Sequence, residues 1–100
     1  MGSNHEPQSV SALAALIEKI SRERLGVFSG TPATFSAQEQ AYVEKLRSAL
    51  AESADNGAFK EWGINSADQV AHVRVAIGFD SKNRTWVLNP EDMARQILED

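Results

Sequence analysis

Residues 72–88 constrain this chain more than any other stretch. Val73, Val75, Ile77 and Phe79 alternate with His72, Arg74, Ala76 and Gly78. Successive side chains of a strand point to opposite faces, so this spacing gives one apolar face and one polar or small face. The apolar set is mostly β-branched or aromatic, which suits a pleated, half-buried surface. Asp80-Ser81-Lys82-Asn83-Arg84 then reads as a polar turn. Thr85 to Leu88 reads as a second strand, with Trp86 and Leu88 on one face. The expected unit is a β-hairpin over 72–88. A two-stranded ribbon is marginal in water unless something covers its apolar face.

The rest of the chain supplies helices for that purpose. Val10, Leu13, Ile17 and Ile20 recur at helical spacing. They predict a helix from about Ser9 to Leu25, opened by Ser9 or Ser11 and stopped by Gly26. Glu18 and Arg22 form a favourable pair one turn apart. Tyr42, Val43, Leu46, Ala49 and Leu50 predict a second helix from Ala37 to about Ala54, with Ser36 and Glu39 as a capping box. Asp55-Asn56-Gly57 ends it. Phe59 and Trp62 fit one further helical turn closed by Gly63, and Ser66 with Gln69 fits another capping box. Asn89-Pro90 opens a last helix: Asn is a favoured cap, and Pro fits the first helical position, where its missing N–H is not needed. Met93, Ala94, Ile97 and Leu98 give that helix its apolar stripe.

The expected fold class is therefore α+β. A helical hairpin packs on a small antiparallel sheet, and a short C-terminal helix follows. Residues 1–8 are expected to be a disordered tail, and 9–100 a single domain. A chain of 100 residues buries about 60–70 % of the surface its unfolded form exposes, enough for one core. That core is expected to hold Leu13, Ile17, Ile20, Val43, Leu46, Leu50, Val73, Val75, Ile77, Trp86, Leu88, Ile97 and Leu98.

Chemistry is harder to find in the sequence. The chain has no Cys and only His5 and His72. That removes disulfides, thiolate ligands and a Cys nucleophile, and it leaves no metal spacing and no cofactor motif. No catalytic residue is expected. Glu91-Asp92 suits the positive end of a helix, and Glu99-Asp100 is the last pair in the sequence. Asp80-Ser81-Lys82-Asn83 lacks the Gly and closing Glu of a calcium loop. No apolar run reaches the roughly 18 residues of a membrane span. With no signal segment either, the expected location is the cytoplasm. The formal net charge is −4, and the acidic excess lies in residues 51–100. A nucleic-acid partner needs clustered cations, and the balance argues against one.

Three features carry information about a partner. Val27, Phe28 and Phe35 are large apolar residues in a stretch whose Gly26, Gly30 and Pro32 forbid a regular element. They either fold back on the core or present an anchor to a partner. Trp62 and Arg74 join them as candidate protein-binding residues. Second, both outer edges of the hairpin present unpaired backbone groups. Either side chains and water satisfy those edges, or a third strand comes from within the chain, with residues 31–35 a candidate source, from a second copy, or from another protein. Third, Lys82 and Arg84 sit at the hairpin tip. In outline this resembles the wing of a winged-helix domain, whose tip contacts nucleic-acid phosphates. No basic recognition helix accompanies it. The expectation is a non-enzymatic interaction protein, with winged-helix-like nucleic-acid binding through Lys82 and Arg84 as the alternative.

Overall fold

The computed structural model describes residues 9–30 and 35–99. The expected tail of residues 1–8 and the candidate strand source at 31–34 lie outside them. Three α-helices and a two-stranded antiparallel sheet follow one another as α1 (Val10–Leu25), α2 (Phe35–Asp55), β1 (Ile77–Asp80), β2 (Thr85–Leu88) and α3 (Pro90–Glu99). The architecture is α+β.

The helix ends follow local chemistry. The Ser9 hydroxyl accepts from the Ala12 N–H at 3.1 Å and so satisfies a free donor of the first turn of α1. Gly26 ends α1 at a φ of 75° and donates its N–H to the Arg22 carbonyl. That left-handed φ favours glycine. Helix α2 already includes Phe35, so Ser36 lies inside its first turn instead of capping it. The apolar stripe fixes which face α2 buries but not the residue at which the helix begins. At α3, the Asn89 side chain accepts from the Asp92 N–H at 3.2 Å, as its sequence predicts.

Two single turns of 3-10 helix, Lys60–Trp62 and Ala67–Gln69, carry the chain from α2 to β1. The Gln69 side chain accepts from the N–H groups of Asn65 and Ser66. The Asp55 carboxylate accepts from the Ala67 N–H at 2.8 Å and ties this connection back to the end of α2.

The core lies among the helices. Leu13 and Ile17 of α1, Leu46 and Leu50 of α2, and Met93 and Ile97 of α3 are buried together with Phe59, Ile64, Val70 and Val73 of the connection. Helix α1 is the common wall, packed by α2 and α3. Several expected core residues take lesser places. Val43 and Ile77 are only half-buried, and Val75, Leu88 and Leu98 pack at the margin. Trp86 is buried, but in a separate aromatic cluster. Phe59 and Val70 of the connection take core places instead.

The hairpin pairs Ile77 with Leu88 and Phe79 with Trp86, which sets the expected apolar positions of the two strands on one face. It is shorter than expected: β1 begins at Ile77, and His72 lies in a turn. The reason is that β2 becomes α3 after Leu88, so residues before Ala76 have no strand to pair with. A side chain replaces it. Gln96 of α3 accepts from the Arg74 N–H at 2.7 Å and donates to the Arg74 carbonyl at 2.9 Å. One amide group thus does for Arg74 what a strand residue would.

Candidate functional site

The residues expected to bind protein divide where α1 ends. Gly26 turns the chain off the helix, and the next two side chains part. Val27 points outward and is 80 % exposed. Phe28 turns inward, stacking on Tyr42 of α2 at 4.7 Å with the rings 9° from parallel, and on Trp86 of β2 at 5.7 Å. Phe79 of β1 closes the row against Trp86 at 4.3 Å. The Tyr42 hydroxyl is held by the Ser21 hydroxyl of α1 at 2.5 Å. This row ties α1, α2 and both strands into one rigid platform. Stacked aromatic pairs add about 0.5–1.5 kcal/mol each beyond their burial.

The same loop settles one edge of the sheet. The Trp86 N–H donates to the Phe28 carbonyl at 2.9 Å, and Ser29 bridges Thr85 in antiparallel fashion. The partial third strand therefore comes from residues 28–29.

Beside this platform lies an open groove of about 560 Å³. Ser21 and Arg22 form one wall, Val27 and Phe28 another, and Thr85 to Leu88 a third. Val87, 47 % exposed, lines the same groove as Val27. The groove thus gathers Val27 and Phe28 from the expected set. It also adds Tyr42, Trp86 and Val87, which sequence reasoning did not assign to a site. The alternation in β2 already placed Val87 opposite in sense to Trp86 and Leu88, so an exposed valine was legible there. Nothing in the sequence said that it would share a groove with Val27.

Three expected residues lie elsewhere or outside the description. Trp62 is half-buried, edge-on to Phe59 at 6.5 Å, and belongs to the skin of the helical core. The Arg74 side chain is exposed beside the Gln96 amide, away from the groove. The side chain of Phe35 lies outside the described residues.

The second edge of the sheet is open among the described residues. In an antiparallel pair, residues alternate between bonding the partner strand and pointing away from it. The Asn89 N–H donates to the Ala76 carbonyl, and the Trp86 N–H points out to Phe28. Both bonds set the same phase. Gly78 and Asp80 therefore bond β2, while Val75, Ile77 and Phe79 turn their N–H and C=O groups outward. Among the described residues β2 is the only element packed extensively along β1.

The hairpin tip is a closed polar turn. The Asp80 carboxylate accepts from the Lys82 and Asn83 N–H groups and from the Asn83 side chain. Lys82 and Arg84 are exposed there, with Asp80 on the same turn. Arg84 adopts a φ of 55°. His72 reaches the Gln96 carbonyl at 3.3 Å. Glu91 sits in the first turn of α3, 3.7 Å from Arg95. Among the described residues no three His, Cys, Asp or Glu side chains converge to hold a metal ion. None of the described helices is long and apolar enough to cross a membrane.

No protein-family model, curated protein or solved structure matches this chain. Its function has to be argued from the groove and the sheet edges alone.

Proposed function

We propose that this protein is a non-enzymatic protein-interaction module, a regulator, adaptor or chaperone-like accessory, that receives an apolar segment of its partner in the groove between the Val27 loop and β2. One observation carries the reading. Val27 and Val87, the large apolar side chains that stand exposed among the described residues, both border this one groove. Isolated exposed apolar side chains are ordinary, but two lining one concavity offer anchor points that exclude water. The aromatic row beneath keeps the floor fixed, so little side-chain freedom is lost on binding.

A peptide-library selection tests this, with the selected ligands located by amide chemical-shift changes. Shifts should concentrate on residues 26–29 and 85–88. Val27→Asp and Val87→Asp should each weaken binding by about tenfold, the scale of one lost anchor, with the fold unchanged. Binding untouched by both substitutions would overturn the reading. So would tight duplex DNA binding that depends on Lys82 and Arg84 and weakens steeply as salt rises.

A further inference from the structure

We infer that the open edge of β1 pairs with the β1 edge of a second copy of this chain, antiparallel and centred on Ile77, making one four-stranded sheet. This rests on the preceding reading only in taking the protein to act by protein contact, and it uses a different surface from the groove. Three observations select the occupant and the register.

The first is the phase of the backbone. Val75, Ile77 and Phe79 carry the outward N–H and C=O groups, as the bonds at Ala76 and Trp86 require. Two-fold pairing about Ile77 sets Ile77 opposite Ile77 and Val75 opposite Phe79. Every outward group then meets another outward group. The second is charge. The same register lays Arg74 of each copy opposite Asp80 of the other, on one face of the sheet. The Arg74 side chain is exposed. The Asp80 carboxylate accepts from its own turn but keeps lone pairs for a guanidinium. Centring on Phe79 instead would oppose Arg74 to Arg84. Centring on Val75 would draw in Val73, whose N–H already bonds the Val70 carbonyl. The third is side-chain fit. On the charged face, Ala76 meets Gly78, and both are small. On the other face, the half-buried Val75, Ile77 and Phe79 form one continuous apolar row with their counterparts. The strand carries no Lys, Pro or bulge that would repel such pairing.

The register can be read by cross-linking, because the chain has no cysteine of its own. Opposed residues of a hydrogen-bonded antiparallel pair have Cα atoms about 5.5 Å apart, within the span of a disulfide. Phe79 lies four residues from its own counterpart in this register, about 13 Å, beyond that span. Under mild oxidation Ile77→Cys should become a covalent dimer, and Phe79→Cys should not. Sedimentation equilibrium of the unaltered chain should show a dimer. Ile77→Pro removes an outward donor while leaving the hairpin's own bonds, and it should weaken that dimer by about tenfold or more. A strict monomer at about millimolar concentration would overturn the inference, since even a weak association, with a dissociation constant near 1 mM, would show there. Equal cross-linking of Ile77→Cys and Phe79→Cys, or a dimer unmoved by Ile77→Pro, would do the same. A monomer that still binds groove peptides would sink the dimer alone. A dimer that binds none would sink the groove alone.

Discussion

The helical core and the aromatic sheet end of this protein are built from the same kinds of side chain on different plans. The core around Leu13, Leu50 and Phe59 is closed on every side, and its members are almost wholly buried. The row of Phe28, Tyr42, Trp86 and Phe79 is stacked as firmly but closed on one side only. Its other side floors a groove and ends at a free strand edge. Closure by helices satisfies backbone within each element, whereas a sheet leaves its outermost groups to be matched by something beyond it. On the function proposed above, one region carries stability and the other contact.

If the division holds, Phe59→Ala should cost the most, about 3–5 kcal/mol, by opening a cavity at the centre of the helical core. Circular dichroism should then report loss of helix and sheet together. A variant whose hairpin alone is lost would break the comparison. Phe28→Ala should cost less, roughly 2 kcal/mol, because the ring is only half-buried. Amide exchange should quicken at Trp86, whose N–H depends on the Phe28 carbonyl, while α1 and α2 stay protected. Uniform acceleration across the helices would show the two regions to be one cooperative unit.

Gln96→Ala probes the seam between them. It leaves the Arg74 N–H and carbonyl without their partner and should cost about 1–2 kcal/mol, read as a lower denaturant midpoint at unchanged slope. A loss below about 0.3 kcal/mol would mean that water serves Arg74 equally well. The smallest effect is expected at the hairpin tip. Arg84→Gly should stabilise the chain by about 0.5–1 kcal/mol, because a non-glycine residue is strained at a φ of 55°. A loss there instead would mean that the arginine side chain holds the turn.

Much of this fold was legible before any coordinates. Ser9, Gly26 and Asn89 mark helix ends through bonds to backbone only a few residues away, so sequence spacing is enough to find them. The buried face of each strand followed from alternation, since a slip of one residue would turn Trp86 and Leu88 to solvent, but the paired residues did not. Burial of Phe59 and Val70 was not legible, because both lie in a stretch too short for any period to show. The site was the least legible part. Phe28 and Tyr42 are separated by a helix end and a loop, and neither local pattern names the other.

The sequence by itself determined the order and type of the main elements, the helix ends at Ser9, Gly26 and Asn89, and the apolar faces of the hairpin, because those rest on contacts between near neighbours in the chain. Tertiary structure decided that Val27 faces out while Phe28 faces in, that Gln96 takes the place of a missing strand, and that β1 keeps one edge open among the described residues. Each of those outcomes depends on which distant groups arrive at the same place, and geometry in three dimensions settles it.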